Sequence, residues 1–451
     1  MNTPGDHDTI CARATAPGRG GIQVIRVSGS AVKAIAVALT GDLPPPRYAA
    51  LKDFRDAEDC AIDTGIVLFF PGPGSFTGED VLEIQAHGGS VVCELLLERL
   101  LQLGARLATP GEFSRRAFLN DKLDLSQAEA IADLIDSRSR AAARAAQRSL
   151  SGRFSNRILD LNEQVTALRV HVEAALDFPE EDVDFLDDEA LQARLTQVRK
   201  TFDALEESLH QGVLLRDGAE VVLAGRPNAG KSSVLNALAG YDAAIVTEIP
   251  GTTRDLVREQ IDLDGLPLHI IDTAGLRDDA GRVEAEGIRR ARAQLATADH
   301  ALLIVDGASQ WQTTATSLQA ELPDGLSCTV VINKIDLSGD SPGASEKNAQ
   351  QLYVSAKTGA GMQALVEHLK TTLGFQSPGE GTVIARRRHL DALQRARQHF
   401  NEGLKQLSQN RAGELLAEEL LQVQNALAEI TGEFHSDDLL GEIFANFCIG
   451  K

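Results

Sequence analysis

Aromatic residues are scarce in this 451-residue chain, where Phe, Trp and Tyr together make up 4% of the sequence. Proteins that hold single-stranded nucleic acid nonspecifically stack the bases on aromatic side chains, so this scarcity disfavours such a groove. Positive charge is also in deficit, because 44 Lys and Arg face 65 Asp and Glu, for a formal net charge of -21. Since phosphate affinity comes mainly from Lys and Arg, any nucleic acid must bind a local basic patch.

Paired cysteines and long apolar runs are absent as well. The five cysteines are scattered through the chain without a CxxC pair: Cys11, Cys60, Cys93, Cys328 and Cys448. This spacing favours reduced thiols over a zinc site or a disulfide framework. The first residues show no targeting pattern, and no run approaches the about 20 apolar residues of a membrane-spanning helix. The sequence therefore predicts a cytoplasmic protein without a membrane span.

The length of the chain and its changes of pattern predict a multidomain protein. In residues 1–120, short apolar runs punctuated by Gly and Pro predict an α+β domain. Residues 121–213 and 377–451 have helix-type spacing and predict one discontinuous α-helical domain. Strands and helices alternate in residues 214–376, which predicts an inserted α/β domain with a mostly parallel sheet.

A phosphate-binding motif opens the α/β segment. Gly225-Arg-Pro-Asn-Ala-Gly-Lys-Ser232 fits GxxxxGK[ST], directly after an apolar strand and directly before a helix-forming run. Its glycines let backbone N–H groups close around phosphate, Lys231 can reach the β and γ oxygens, and the Ser232 hydroxyl can ligate magnesium. The strand and helix around the motif disfavour the alternative of a chance Gly-rich turn.

Four further motifs follow in the order typical of GTPases. Gly251-Thr-Thr-Arg-Asp255 offers a hydroxyl for magnesium, assigned to Thr253, and Asp272-Thr-Ala-Gly275 ends a strand near the phosphates. In Asn333-Lys-Ile-Asp336, the Asp336 carboxylate can accept two hydrogen bonds from guanine, which adenine cannot donate. Ser355-Ala-Lys357 fits the loop that contacts the guanine carbonyl. The sequence therefore predicts a P-loop GTPase.

The position that usually orients the attacking water departs from the common pattern. Many GTPases carry Gln directly after the Asp-x-x-Gly turn, whereas this chain has Leu276. Hydrolysis must therefore recruit help from elsewhere. Carboxylates follow in residues 277–286, and Asn228 offers a carbonyl oxygen that can hold a monovalent cation beside the phosphates.

Segments outside the GTPase motifs carry a more specific resemblance. They are Asp8-Thr-Ile-Cys-Ala12, Ala16-Pro-Gly-Arg-Gly-Gly-Ile22, Ser75-Phe-Thr-Gly-Glu-Asp80, His87-Gly-Gly89, the run from Pro110 to Asp124, and Cys448-Ile-Gly-Lys451. Through them the chain resembles the MnmE or TrmE family of tRNA uridine-modifying GTPases, from Asp8 to Lys451.

The resemblance implies a folate-binding N-terminal domain that forms a homodimer, and a GTPase activated by potassium-dependent pairing of two copies. It also implies a flavin-containing partner, MnmG or GidA, in a heterotetramer. Together the two proteins would install an aminomethyl-type group on C5 of the wobble uridine of certain tRNAs. The one-carbon unit would come from a tetrahydrofolate derivative, in its 5-formyl or 5,10-methylene form.

The resemblance also implies roles for single residues. Potassium would be held by Asn228, Thr247, Ile249 and Thr252, and magnesium by Ser232 and Thr253. Glu284 would position the attacking water, Cys448 would lie near the folate, and Arg26, Glu83, Lys122 and Lys451 would contact it. With the motifs, the expected GTP-binding set is Asn228, Ala229, Gly230, Lys231, Ser232, Ser233, Thr247, Glu248, Ile249, Pro250, Gly251, Thr252, Thr253, Asp272, Thr273, Ala274, Gly275, Asn333, Lys334, Asp336, Ser355, Ala356 and Lys357.

Several alternatives stay open at the level of sequence. Arg26 and Glu83 can equally face solvent or pair with each other, and Cys448 can be a small buried hydrophobe. Two arginine groups, Arg140 with Arg144 and Arg148, and the run Arg386–Arg388, can meet tRNA phosphates or form solvated helix faces. A GTP-controlled ribosome-assembly factor is the alternative function, although neither a second GTPase domain nor a C-terminal RNA-binding module is evident.

Overall fold

The computed structural model describes residues 8–137, 139–177, 189–240, 258–272, 298–323, 325–377, 379, 381–433, 437–445, 447 and 450. The chain divides into two compact units. The first comprises Met1–Ala132, Ser149–Leu195 and Arg395–Lys451, and the second comprises Asp133–Arg148 and Thr196–Gln394.

The first unit begins with a six-stranded sheet and three helices. In chain order these are β1 (Ile10–Arg13), β2 (Ile22–Ser28), α1 (Val32–Thr40), β3 (Ala50–Arg55), β4 (Ala61–Phe70), β5 (Val81–His87), α2 (Ser90–Gln102), β6 (Arg106–Leu107) and α3 (Glu112–Leu119). The strand order is β3-β4-β5-β2-β1-β6, antiparallel except for the β1–β6 pair. Alternate residues of β2 and β5, such as Ile25 and Ile84, are buried with Leu39 of α1 and Leu96 of α2. The predicted α+β fold is confirmed.

Four helices follow the small sheet: α4 (Leu125–Asp136), α5 (Arg140–Leu150), α6 (Arg153–Asp177) and α7 (Glu189–Asp217). The last of these runs almost directly into the next sheet. Only Gly218 separates α7 from the strand that begins at Ala219. Its φ of 72° and an ideal Cβ position 2.6 Å from the Pro267 oxygen leave no room for a side chain.

The second sheet has seven strands in the order β12-β13-β11-β10-β7-β9-β8. Its elements are β7 (Ala219–Ala224), α8 (Lys231–Ala239), β8 (Arg258–Leu263), β9 (Leu266–Asp272), β10 (His300–Asp306), α9 (Trp311–Gln319), β11 (Cys328–Asn333), α10 (Ile335–Ser338), β12 (Gly343–Ala344), β13 (Gln351–Tyr353) and α11 (Met362–Thr372). The five inner strands are parallel, and the edge strands β8 and β12 are antiparallel. The predicted mostly parallel sheet is confirmed.

The C-terminal helices are α12 (Arg387–Asn410), α13 (Gly413–Thr431) and α14 (Asp437–Ala445). Helix α13 packs along α6, although the whole second sheet lies between them in sequence. Arg169 of α6 donates a hydrogen bond of 2.6 Å to the Gln424 side chain, which donates another of 2.6 Å to Thr166. The helical domain is therefore discontinuous, as predicted.

One carboxylate joins three segments of the second unit. Asp133 of α4, with a side chain 5% exposed, accepts hydrogen bonds from Arg216 Nε at 2.8 Å and from Arg386 Nη2 at 2.9 Å. Arg216 lies in the last turn of α7, and Arg386 directly precedes α12. The Asp133 carboxylate thus ties α4 to the helix that leads into β7.

In the part of the chain described here, no helix combines the length and the apolar character that crossing a membrane would require.

Candidate functional site: a guanine-nucleotide pocket and a second, aromatic-lined cluster

The phosphate loop connects β7 to α8, and two of its glycines are required by their neighbours. An ideal Cβ on Gly230, whose φ is 94°, would lie 2.2 Å from Asn333 Nδ2. One on Gly225 would lie 2.5 Å from the Ile304 oxygen. Since real Cβ atoms do not approach other atoms so closely, only glycine lets this loop pass close to β10 and β11.

The motif lysine and serines take up positions at the start of α8. Lys231 is 8% exposed, and its Nζ donates a hydrogen bond of 3.0 Å to the Gly225 carbonyl oxygen across the loop. Ser232 and Ser233 follow in the first turn of α8 and are exposed. The motif therefore ends at a helix N-terminus with two serines that are open to solvent, as a phosphate site requires.

Asn333 joins three of the predicted motifs. Its side-chain amide donates to the Ala229 oxygen at 3.1 Å, and its side-chain oxygen accepts from the Ala356 N–H at 3.1 Å. The side chain is held on both sides in the buried interior of the unit. The phosphate loop, the Asn333–Asp336 motif and the Ser355–Lys357 motif are thus brought together as the sequence predicts.

Lys334 ties the base-recognition motif to the phosphate loop. Its φ of 68° is left-handed, and its Nζ donates to the backbone oxygen of Asn228 at 2.8 Å and to Asp306 Oδ2 at 2.6 Å. The hydrogen bond from Lys334 lowers the pKa of Asp306 below its usual range. Sequence reasoning missed Asp306, although its place as the last residue of an apolar strand was a usable signal.

The Asp336 carboxylate, which the sequence predicts to read guanine, is held by the neighbouring motif. The Ser355 hydroxyl, which is buried, donates a hydrogen bond of 2.6 Å to Asp336 Oδ1. Asp272 is the last residue of β9 and pairs in register with Leu223 of β7, so its backbone lies beside the strand that leads into the phosphate loop. Ligands of open parallel sheets bind at this carboxyl edge.

Part of the predicted site lies outside the described residues. It comprises Thr247, Glu248, Ile249, Pro250, Gly251, Thr252, Thr253, Thr273, Ala274, Gly275, Glu284, Cys448 and Lys451, together with Leu276.

A second cluster lies in the first unit, around Arg26 and Glu83. They are opposite each other in the β2–β5 register, and two Arg26 nitrogens lie 2.8 and 3.0 Å from Glu83 Oε1. The two side chains therefore pair with each other, one of the alternatives open from sequence. The Arg26 guanidinium also lies 5.6 Å from the ring centroid of Phe76 and 5.8 Å from that of Phe113. Sequence reasoning did not single out these aromatic rings, although both lie in the family-like segments.

The C-terminal segment packs against the same part of this unit. An ideal Cβ on Gly111, just before α3, would lie 2.6 Å from the Phe444 oxygen of α14. One on Gly450 would lie 2.3 Å from the Arg13 oxygen at the end of β1. Because β1 pairs with β2, with Ala12 opposite Arg26, Gly450 contacts the strand beside Arg26. Lys122 is exposed, and its side chain lies beside Gly78 in the loop before β5.

Comparisons with known proteins identify the family of the chain. A family model described as the MnmE helical domain matches residues 125–448, and one described as the GTP-binding protein TrmE N-terminus matches residues 9–122. The tRNA modification GTPase MnmE of Shewanella denitrificans is 56% identical over 450 residues, covering 98% of this chain and 99% of the relative. The chain belongs to the MnmE family of tRNA modification GTPases. The protein of the same name from Erwinia tasmaniensis matches with the same identity and coverage.

Solved GTPase structures resemble parts of the chain. The G domain of the FeoB iron transporter of T. maritima is 23% identical and covers 34% of this chain and 98% of its own, with a TM-score of 0.26. Era from Aquifex aeolicus is 23% identical and covers 40% of this chain and 67% of its own, with a TM-score of 0.27. The strand order and the loop geometry of this chain are themselves those of a P-loop GTPase.

Several residues that carry the MnmE family resemblance form a buried ionic network. Arg116, with a side chain 3% exposed, contacts Asp8 at 2.7 Å, Glu112 at 3.0 Å and Glu79 at 3.2 Å. Arg106 also pairs with Glu112, at 2.6 Å. Burial raises the pKa of Glu112, but hydrogen bonds from Arg106, the Thr109 N–H and Arg116 outweigh it and lower the value to about 2. This network holds α3 to the start of β1, so it supports the second cluster.

Proposed function

We propose that this GTP hydrolase of the MnmE family is activated by potassium and acts with a flavin-containing partner of the MnmG or GidA type. Together they install an aminomethyl-type group at C5 of the wobble uridine of certain tRNAs. The one-carbon unit comes from a tetrahydrofolate derivative in its 5-formyl or 5,10-methylene form. The proposal includes a homodimer, a heterotetramer with the partner, and a cytoplasmic location.

The observation that carries the GTP part is the joining of the base motif to the phosphate loop. Asn333 and Lys334 bond to the oxygens of Ala229 and Asn228, and Ser355 orients Asp336. A carboxylate held in this way suits the two neighbouring N–H donors of guanine, since charged hydrogen bonds are stronger than neutral ones. The domain assignment we propose is 1–120, 121–213, 214–376 and 377–451, although Asp133–Arg148 belongs to the same compact unit as the GTPase sheet.

The residues present fit two cations beside the nucleotide. The exposed Ser232 hydroxyl lies at the N-terminus of α8, where it would ligate magnesium together with Thr253. Asn228 lies in the same loop with a φ of 63° and is exposed, so its side-chain oxygen is open to a monovalent ion. Thr247, Ile249 and Thr252 would complete that site. Magnesium and potassium would supply positive charge to the phosphates, and Glu284 would orient the attacking water.

The second cluster fits a folate. A folate offers a flat pterin with donors and acceptors and an acidic tail, and Arg26, Glu83 and the rings of Phe76 and Phe113 offer a cation, a carboxylate and apolar faces. The contact of Gly450 with Arg13 supports a contribution of the C-terminal segment. We therefore assign folate contacts to Arg26, Glu83, Lys122 and Lys451, with Cys448 nearby.

The modified nucleosides of tRNA distinguish the proposed function from the alternative, a ribosome-assembly factor. Nucleosides of tRNA from a deletion strain should lack the C5 aminomethyl-type wobble uridine, and the intact gene should restore it. Complementation with Lys231→Ala, which removes the phosphate-binding ammonium group, should fail. Unchanged wobble nucleosides together with unassembled ribosomal subunits would instead show a ribosome-assembly factor and overturn the proposal.

A further inference from the structure

A stretch of unusual charge begins in the second unit and continues along the chain into the first. Between residues 137 and 159 the chain has six arginines and no Asp or Glu, although the whole protein has a net charge of -21. The six are Arg138, Arg140, Arg144, Arg148, Arg153 and Arg157. The long helix α7, by contrast, carries exposed residues of both signs, such as Glu189, Arg199 and Asp203. A single-sign stretch in an acidic protein indicates a polyanionic partner.

Some arginines in this region bond to other groups of the second unit, whereas others are exposed to solvent. Arg148 Nη1 donates to the Thr382 oxygen at 2.8 Å and to the Gly379 oxygen at 3.1 Å, so its charge is used inside the unit. Arg386 is held by Asp133. Arg140 and Arg144 are exposed, and among the residues that the structure describes no carboxylate pairs with either. They are one helical turn apart on α5, so the two guanidinium groups share one face.

The opposite face of α5 is fixed to the GTPase sheet. Ala145 and Ala146 are fully buried in the core that includes Leu263 and Leu266 of the β8–β9 hairpin. The ideal Cβ position of Gly265, at the tip of this hairpin, lies 3.2 Å from the Ala141 Cβ. The adjacent Asp264 is engaged by Lys370. The small alanines let α5 pack closely and direct its arginines outward.

We propose that Arg140 and Arg144 form an RNA phosphate-binding surface carried on the GTPase unit. The proposal rests on the proposed function, which supplies tRNA as the polyanion. Two guanidinium groups on one helix face suit phosphate oxygens, because each guanidinium has several N–H donors. Contacts of this kind with phosphates carry no base specificity. Helix α5 packs against the β8–β9 hairpin. The last residue of β9, Asp272, belongs to the proposed nucleotide site. The helix that carries the two arginines therefore packs against the same sheet that carries this site.

The test measures binding of the full-length chain to bulk tRNA as a function of salt. The double variant Arg140→Gln with Arg144→Gln should lose tRNA affinity by about tenfold or more and lower the log–log salt slope by about 1.4–1.8. GTP turnover without tRNA should be unchanged. The matched control is Arg199→Gln, an exposed arginine of α7, which should bind tRNA like the wild type.

Each other outcome counts against the assignment. Equal affinity and slope in the double variant and the wild type would overturn the surface but leave the proposed function standing. If the double variant kept its tRNA affinity but lost binding to the flavin-containing partner, the surface would belong to a protein contact. A wild-type chain that failed to bind tRNA would overturn both the surface and the proposed function.

Discussion

The ammonium group of Lys334 lies 2.8 Å from the backbone oxygen of Asn228, although 106 positions separate the two residues. This hydrogen bond joins the motif proposed to read the base to the loop proposed to hold the phosphates. Because it uses the backbone oxygen of Asn228, it leaves the side-chain oxygen for another role. The first prediction concerns that side chain.

GTP hydrolysis should be slow in sodium and much faster in potassium at matched ionic strength. Leu276 stands where many GTPases carry a water-orienting Gln, so extra charge near the phosphates must come from elsewhere. Replacing Asn228 by Ala should abolish the difference between the salts in a steady-state phosphate-release assay. Equal wild-type rates in both salts would contradict the cation site.

Asp336→Asn should weaken GTP binding, because an amide can accept from only one of the two guanine donors. Loss of a charged hydrogen bond costs about 1.5–3 kcal/mol, or roughly 10- to 150-fold in Kd. Nucleotide titration of the variant and of Asp340→Asn, an exposed carboxylate on the same surface segment, separates base reading from a general charge effect. An unchanged preference for guanine over adenine nucleotides would place base reading elsewhere.

Asp133→Ala should destabilise the second unit. The variant leaves Arg216 and Arg386 without their shared carboxylate, and loss of one partner from a fully buried ion pair costs about 3–5 kcal/mol. Because Arg216 is 32% exposed, we expect a smaller effect of roughly 2–3 kcal/mol. Denaturant unfolding should show this loss for Asp133→Ala and almost none for Asp136→Ala, an exposed carboxylate of the same helix. Similar losses in both variants would argue against the three-way ion pair.

The second unit should lose stability in mild acid through His300. This side chain is 1% exposed, and its ring nitrogens lie 2.7 Å from Ser327 Oγ and 2.9 Å from Thr329 Oγ1. Burial, and then the charge of His368, lowers the pKa of His300 from 6.5 to about 4. The unfolded chain therefore binds the extra proton between these values, and the free energy of unfolding falls as pH decreases through that window, by at most about 3 kcal/mol.

Thermal unfolding from pH 7.5 to pH 4.5 measures this effect. His300→Gln keeps hydrogen-bonding groups but cannot titrate, so its stability should depend less on pH than that of the wild type. Parallel pH profiles for the two proteins would show that other groups cause the acid sensitivity.

The two sites should separate by mutation. Glu284→Ala should reduce GTP turnover while nucleotide and folate binding stay nearly intact, because a water-orienting carboxylate acts chiefly in the transition state. Arg26→Ala should weaken 5-formyltetrahydrofolate binding by roughly 1.5–3 kcal/mol yet preserve hydrolysis. Both variants should lose tRNA modification.

Arg55→Ala changes a partly exposed arginine of β3 that pairs with Asp59. This variant serves as the control for Arg26→Ala and should keep folate binding. Full tRNA modification by a Glu284→Ala protein that no longer hydrolyses GTP would break the proposed coupling between the sites.

The sequence predicted the inner strands and long helices well, because each is a continuous apolar or periodic run. Helix α2, Ser90–Gln102, is one such run. Strand β8 was missed because polar residues alternate with Ile261 and Leu263 along an edge strand, although the Asp264-Gly265 turn after it is a hairpin signal. Edge strands are half polar and therefore resemble loops.

Contacts between distant segments were not predictable in the same way. The sequence shows that Asp133, Arg216 and Arg386 are charged. It does not show that they meet, because only the packing of α4 against the end of α7 brings them together. The Arg26–Glu83 pair follows from strand register, which the two separate strand patterns do not specify. The motif residues of the proposed nucleotide site could be named from the sequence because their chemistry depends on local spacing.

Because only Gly218 separates α7 from β7, the direction of α7 is coupled to that of the strand that leads into the phosphate loop. The part of α7 that lies in the second unit, Thr196–Asp217, is about 33 Å long, so a rotation of β7 by about 5° would displace Thr196 by about 3 Å. With a single residue between helix and strand, and with a carbonyl oxygen crowding that residue, little of such a rotation is absorbed at the joint. Such a rotation would therefore move Thr196 further than the residues of β7 beside the joint.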